Sequence, residues 1–310
     1  MAVLIAGPTA SGKSALALSL AQALGGTVVN ADAIQVYKDL RILTARPSVA
    51  VSAAVPHALY GYVDGAVAYG VGAWLADAWA VLGDLARRGR PAVIVGGTGL
   101  YLDALGQGLS AVPPVTADVR AFWRDALAAD GAVALHTVLQ ERDPLMAARL
   151  RNSDGQRIVR ALEVIEGTGR SLAHWQEEAG PAPLDDFDVV HRVVLEPGRD
   201  VVRERIRERF DKMMQAGALG EAVRLSDRHL SDALPVMKAI GVAPLVAHWR
   251  GEINRSDAIA QAVTESRQYA KRQDTWFRNR FGDWPRAADV ESAQSLILSS
   301  VRPAGLAAVE

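Results

Sequence analysis

The 310-residue chain contains no cysteine, which excludes disulfides and cysteine-based zinc sites and makes a reducing, cytoplasmic compartment the simple expectation. No apolar run approaches the ~20 residues needed to span a bilayer. The apolar start, residues 2–6, is too short and lacks the basic flank of a signal peptide. Charge of one sign is also missing: 34 basic and 35 acidic residues leave a net charge of −1. The molecule as a whole has no pull on nucleic acid, so any RNA site must come from a local cluster of Arg and Lys. What is abundant is apolar side chains, 50% of the total, enough for one large domain or two modest ones. A soluble, intracellular monomer is the expectation.

The chain opens by alternating short apolar runs with helical stretches. Val3-Leu4-Ile5-Ala6 reads as a buried strand ended by Gly7-Pro8, and Leu16, Leu20 and Leu24 mark one face of a helix that Gly25-Gly26 stops. Thr27-Val28-Val29 forms a second strand, residues 70–88 a second helix, and residues 91–95 a further buried strand closed by Gly96-Gly97. Continuous apolar strands alternating with helices predict a parallel sheet covered on both faces. After Val112-Pro113-Pro114 only helical periods appear, until Gly180-Pro181-Ala182-Pro183; a strand returns at 189–195 and helices fill 200–281. We therefore expect an α/β fold: a P-loop-NTPase-like parallel sheet core from residues 1–112 and 181–310, with an all-helical insertion at 113–180. The chain beyond Ala287 carries little pattern and is expected to be loosely held. No internal repeat or low-complexity tract interrupts this plan.

Gly7-Pro8-Thr9-Ala10-Ser11-Gly12-Lys13-Ser14 matches G-x-x-x-x-G-K-[ST] between a strand and a helix, the context that makes the pattern specific. Glycines let backbone N–H groups converge on a diphosphate at the positive end of the helix, Lys13 adds a charge, and the Ser14 hydroxyl can ligate Mg²⁺. The cradle holds a polyphosphate but does not say which one; a nucleotide such as ATP and a prenyl diphosphate fit alike. No Asn-Lys-x-Asp segment reads guanine, and the strand at 92–95 ends in Gly96-Gly97-Thr98-Gly99 rather than in a metal-holding Asp. A small-molecule kinase stays open as an alternative.

Further segments carry a resemblance. They are Asn30-Ala31-Asp32-Ala33-Ile34-Gln35-Val36-Tyr37, Thr44-Ala45-Arg46-Pro47, Pro56-His57, Gly96 to Tyr101, Asp154 to Val164, Met237-Lys238-Ala239-Ile240-Gly241, and Arg267 to Gln273 followed by Thr275-Trp276-Phe277-Arg278. In this order, with the P-loop, they resemble the tRNA dimethylallyltransferase family almost from end to end. Two positions depart from it: Leu43 stands where the family usually has Gly, and Val242-Ala243 where it has Tyr and a basic residue. The second change removes an expected tRNA contact.

The resemblance implies transfer of a dimethylallyl group from dimethylallyl diphosphate to the exocyclic amine of the adenosine 3′ of the anticodon, position 37, in tRNAs reading codons that start with U. It implies Mg²⁺ as cofactor and an insertion that grips the anticodon stem-loop. Asp32 is then the general base and Thr98 its helper, with Lys13 completing the catalytic set; from spacing alone Asp32 is equally a cap for the turn at 34–37. Gly7 to Ser14 hold the diphosphate, and Arg199 matches an added diphosphate-binding arginine, although a solvated helix start with Asp200 is open too. The tRNA is assigned to Asp32, Ala33, Ile34 and Gln35, to Thr98 and Arg120, and to Gln156, Arg157, Ile158, Val159 and Arg160. Arg157 and Arg160, three apart, also suit an ordinary solvated helix face. Residues 267–280, with five basic side chains against the single acid Asp274, are expected to form a phosphate-facing patch.

Overall fold

The structure, a computed structural model, describes residues 1–178 and 180–301. Two compact units emerge: Met1–Gly106 together with the chain from Pro183 onward, and Gln107–Ala182. The first is built on six strands, β1 (Ala2–Ala6), β2 (Thr27–Asn30), β3 (His57–Ala58), β4 (Ala92–Gly96), β5 (Val190–Leu195) and β6 (Arg286–Ala287). All pair in parallel in the order β3-β2-β4-β1-β5-β6. The helices of this unit are α1 (Lys13–Leu24), α2 (Val49–Ala54), α3 (Val71–Arg87) and α4 (Gly99–Gln107), with α9 to α13 in the C-terminal half.

The sheet is apolar on both faces, as parallel strands covered by helices must be. Val3 and Ile5 of β1 point with Val28, Val93, Val95, Val193 and Leu195 toward Leu16 and Leu20 of α1. Burying a side chain of this size contributes about 1.5–3 kcal/mol. Against the other face of β2, the buried Trp74 of α3 donates its indole N–H to the Asn30 carbonyl at 3.0 Å. Connections from β1 and β4 leave in opposite directions, β1 toward β2 and β4 toward β5. Such a reversal opens a crevice at the carboxyl ends of the strands, where open α/β sheets bind ligands.

The C-terminal half supplies α9 (Arg199–Gln215), α10 (Ala218–Ser226), α11 (Val242–Trp249), α12 (Arg255–Arg280) and α13 (Val290–Val301). The expectation of a loose tail beyond Ala287 is corrected over residues 290–301. α13 packs on α1, and Ala293 and Ile297 are buried in the same core cluster as β1. Its apolar residues do recur at helical spacing, but intervening Ser and Glu dilute the pattern. Residues 302–310, also part of that expectation, lie outside the described residues.

The second unit contains α5 (Ala117–Arg142), α6 (Pro144–Arg149), α7 (Gly155–Thr168) and α8 (Leu172–Glu177). α5 is broken at Gly131, whose φ of 80° no helix accommodates. The core is Trp123, Leu135 and Leu139 of α5 packed on Ile158, Leu162 and neighbours of α7. The unit extends beyond 113–180 at both ends because its two connecting strands of chain touch: a Cβ on Gly108 would lie 2.3 Å from the Gly180 carbonyl. Among the described residues no helix is long and apolar enough to cross a membrane.

Candidate active site

The crevice at the strand ends is a cavity of about 910 Å³. Each wall comes from a loop that follows a strand, faced by α9 and α12. After β1 the chain turns through Gly7–Gly12, with Ala10 at φ 64° and Gly12 at φ 103°, left-handed conformations that let the loop fold around its own amides. Gly12 caps α1 without any side-chain hydrogen bond. The N–H groups of Lys13 and Ser14 therefore have no acceptor among the described residues, as at any uncapped helix start. Their positive ends face the cavity, which Thr9, Ala10, Gly12, Lys13 and Ser14 line.

Basic side chains dominate this chamber: Lys13, Arg205, Arg209, Lys212, Lys238 and Arg272 against Asp32 and Glu208. Lys13 Nζ donates to the Pro8 carbonyl at 3.2 Å. Burial pushes its ammonium down to about 8, opposed by the attraction of Asp32 and aided by the repulsion of Arg209. Arg209 donates to the Thr9 hydroxyl at 2.7 Å, and Arg205 to the Ser11 carbonyl at 3.1 Å. Four residues apart on α9, the two guanidiniums share one helix face and close the loop from above. Such a surplus of desolvated positive charge around open amides selects a polyanion.

Arg199 does not join them. It lines a neighbouring cavity of about 650 Å³ with Pro8, Arg203, Arg267 and Lys271. At 1.5 Å rise and 100° per residue, it sits about 9 Å back along α9 from Arg205 and on a different face. Arg199, expected at the diphosphate, lines this second cavity, whereas Arg205 and Arg209 line the chamber itself. The run Arg203-Glu204-Arg205-Ile206-Arg207-Glu208-Arg209 hides them, because charge alternates on every side. The available signal was adjacency to Ile206 and Phe210, both buried.

Opposite the loop lies Asp32, just beyond β2. Its Oδ1 accepts from the N–H groups of Ile34 at 2.9 Å and Gln35 at 3.3 Å, so the carboxylate does cap the turn. Oδ2 takes no hydrogen bond among the described residues and lies toward Gly97, 3.7 Å from where a Cβ on that glycine would stand. Thr98 Oγ1 accepts from the Ala33 N–H at 3.0 Å, tying the turn after β4 to the turn after β2. Asp32, Ala33, Ile34, Gln35 and Thr98 all line the same cavity as Lys13 and Ser14. Tyr269 of α12 lines it as well, its phenol pushed upward by burial and then by the negative charge of Asp32.

A third wall is Leu43-Thr44-Ala45. This loop hangs on Glu221 of α10, a buried carboxylate that accepts from the N–H groups of Arg41, Ile42 and Leu43 at 2.6, 3.0 and 2.8 Å. Sequence reasoning assigned Glu221 nothing; the available signal was its helical spacing with Ala218, Ala222 and Leu225 on the buried face of α10. The fourth wall is α12, and there the five basic residues of 267–280 divide rather than form one patch. Arg272 faces the cavity, Arg278 pairs with Glu196 and Asp274, each at 2.8 Å, and Arg280 with Asp103 at 2.9 Å.

The remaining candidates belong to the second unit. Arg120 is exposed on α5, and Gln156, Arg157 and Arg160 are exposed on α7. Arg157 pairs with Asp154 at 3.4 Å and Arg160 with the buried Glu163 at 3.3 Å. Ile158 and Val159 differ from their neighbours: their side chains are core of this unit and hold α7 in place, so they offer no side chain to a ligand.

The geometry defines a class, an α/β enzyme of P-loop-like fold with a basic, amide-lined loop and a carboxylate in one chamber. A family model described as IPP transferase matches residues 35–280, and one described as Isopentenyl transferase matches residues 1–55. The chain belongs to the IPP transferase family. A tRNA dimethylallyltransferase of Rhodopseudomonas palustris (strain BisB18) is 51% identical over 295 residues, covering 95% of this chain and 93% of that protein. Another, of Bradyrhizobium sp. (strain BTAi1 / ATCC BAA-1182), is 54% identical over 285 residues, covering 91% and 93%. Among solved structures, the tRNA isopentenylpyrophosphate transferase of Bacillus halodurans is 30% identical with a TM-score of 0.67, covering 96% of this chain and 95% of that one. A eukaryotic dimethylallyltransferase solved acting on tRNA is 26% identical with a TM-score of 0.78, covering 96% and 76%.

Proposed function

We propose that this chain is a tRNA dimethylallyltransferase that moves the five-carbon group of dimethylallyl diphosphate to the exocyclic amine of adenosine 37. The observation that carries the reading is one chamber lined both by the open loop of Lys13 and Ser14 and by Asp32, whose Oδ2 accepts no hydrogen bond among the described residues. A kinase reading has no comparable support from relatives.

Two barriers must fall. The adenine amine is a poor nucleophile because its lone pair is delocalised into the ring, and the allylic carbon departs only if charge growing on diphosphate is neutralised. Asp32 Oδ2 accepts the amine proton as nitrogen bonds to carbon, an effect worth about 10²–10⁴ in rate. Its companion Oδ1 keeps the carboxylate aimed by capping the turn. Thr98, whose oxygen accepts from Ala33 and whose hydroxyl hydrogen-bonds the Tyr269 phenol, holds the turn beside Asp32 and orients the amine at the chamber wall. On the other side the carbon–oxygen bond breaks toward the α1 amides, Lys13, Arg205 and Arg209; donors prepositioned on such an oxyanion contribute about 3–4 kcal/mol each. The products are isopentenyladenosine in tRNA and free diphosphate.

Mg²⁺ suits the donor set. Among the described residues no cluster of three His, Cys, Asp or Glu could hold an ion unaided, whereas the exposed Ser14 hydroxyl at the cradle can share one with phosphate oxygens. The ion would add neutralising charge to the leaving group. Arg120, Gln156, Arg157 and Arg160 are the exposed groups with which the helical unit meets the anticodon stem-loop, whose unstacked bases are cheap to extrude. The test is transfer of label from dimethylallyl diphosphate to unmodified tRNA, with nucleosides identified by mass. Label in an adenosine, without ATP turnover and nearly abolished by Asp32→Ala, is the expected result. Undiminished transfer in that variant, or none by the native chain, would overturn the reading.

A further inference from the structure

Gln273, in the second half of α12, is buried, 5% exposed, at the edge of the chamber. Its Oε1 accepts from the Thr9 N–H at 2.8 Å, and its Nε2 donates to the Gly97 carbonyl at 2.8 Å. Thr9 belongs to the phosphate loop after β1, and Gly97 immediately precedes Thr98 after β4. The two strands pair as far as Ala6 and Gly96 and then diverge into their loops. The side-chain amide lies just past that last pair and hydrogen-bonds like a peptide group inserted between them, accepting from one loop and donating to the other. Gly97 has no room for a side chain because of it: a Cβ there would lie 2.1 Å from Nε2.

The chemistry gives this bridge a purpose. β1 and β2 flank β4, so at ~4.8 Å per strand the cradle and Asp32 spring from chain ends about 10 Å apart. Nucleophile and electrophile must nevertheless meet within about 3–3.5 Å. Beyond the sheet edge, the hydrogen-bonded path from one to the other runs from Thr9 through Gln273 to Gly97, then from Thr98 to Ala33 beside Asp32. The Thr9 amide is thereby removed from the set facing the diphosphate. We propose that Gln273 is a positioning residue, a spacer that sets the donor's diphosphate against the base-side turn at reacting distance. Only an uncharged carboxamide meets both demands, one acceptor and one donor at fixed separation. Methionine offers neither, and a glutamate carboxylate loses the donor and brings negative charge toward the diphosphate.

This rests on the proposed transferase reading, so every variant is run beside the native chain. Single-turnover transfer and steady-state KM values for donor and tRNA are measured for Gln273→Met, which keeps the shape, and for Gln273→Glu. Because misplacement by about 1 Å costs about 10²-fold, Gln273→Met should lower the transfer rate about 100-fold, with both KM values within about threefold of native. Gln273→Glu should add a rise in donor KM. A merely structural glutamine would instead lower the folded fraction and leave the rate per folded molecule intact. Should Gln273→Met not fold, Gly97→Ala displaces the amide from the opposite side and must show the same rate loss. A folded variant of either kind at native rate, or a loss confined to donor KM, overturns the spacer. A native chain that transfers nothing refutes the function itself.

Discussion

Glu221 offers the sharpest test of how the base-side wall is held. Its two carboxylate oxygens are shared among three backbone donors, Arg41 and Ile42 on Oε1 and Leu43 on Oε2. Glu221→Ala removes both acceptor oxygens and so leaves all three donors unmet at once. Leu43 is buried, so its N–H has no access to water and costs about 1–3 kcal/mol when unmet, while Arg41 is exposed and is rescued by solvent. Ile42, half-buried, falls between. Adding the lost packing of the side chain, Glu221→Ala should destabilise by about 3–5 kcal/mol, near the cost of removing one partner of a buried charged network. Glu221→Gln keeps Oε1 but turns an amide N–H toward Leu43, so its cost is one charge-assisted bond, about 1.5–3 kcal/mol. Denaturant unfolding of the two variants reads these values directly. Functionally, the loop carries Leu43, Thr44 and Ala45 but no part of the phosphate cradle, so KM for tRNA should rise while KM for the donor stays near native. Loss below about 1 kcal/mol in Glu221→Ala, or a donor KM that rises with the tRNA KM, would refute the reasoning.

Two further outcomes follow from the cradle. Donor binding requires Lys13 charged, and burial holds that ammonium at about 8, so donor KM should be flat below pH 8 and rise about tenfold per unit above it, a profile that Lys13→Met abolishes. A flat native profile from pH 7 to 10 would show that Lys13 is not so perturbed. Second, Arg209→Met should cost about 10²–10³ in the rate of transfer, as loss of one prepositioned donor does, whereas Arg199→Met should change it less than threefold. The reverse ranking, read from the same assay, would return the phosphate contact to Arg199.

Legibility divides along a physical line. β1, α1, β2 and β4 were plain because local pattern and tertiary role coincide: continuous apolar strands buried on both faces, and a glycine loop that must follow a strand. β3 and β6, two residues each, carry no periodicity at all, and exist because β2 and β5 offer them an edge. α13 was missed because small and polar residues dilute its apolar face, although Ile297 lies in the main core. At the site, Lys13 and Ser14 stood out because the glycine-loop pattern fixes them at the start of α1, Asp32 because it follows β2 where topology sends ligands, and Thr98 through the resemblance. Arg205, Arg209 and Gln273 did not, because they come from the long helices α9 and α12, in which a polar residue facing inward looks like its solvated neighbours; Glu221 was missed on a short helix although it shares the apolar face. For Arg199 the resemblance supplied a residue type and a helix but not the helix rotation, and rotation decides which arginine lines the chamber.

Asp32 makes a stronger point. Sequence alone left two readings, a turn cap and a proton acceptor, and the structure makes them compatible by dividing the oxygens. Oδ1 is committed to the N–H groups of Ile34 and Gln35, and Oδ2 accepts no hydrogen bond among the described residues. The division is useful rather than incidental. A carboxylate with both oxygens free would rotate about its Cβ–Cγ bond and present its lone pairs in many directions, whereas one pinned through Oδ1 has a single direction for Oδ2. The same logic recurs at Thr98, whose oxygen is held by Ala33, and at Thr9, whose hydroxyl is held by Arg209 and whose amide by Gln273. Each group that faces the chamber is fixed by a hydrogen bond behind it, so the orientation needed for transfer is set when the chain folds and is not supplied by the substrates.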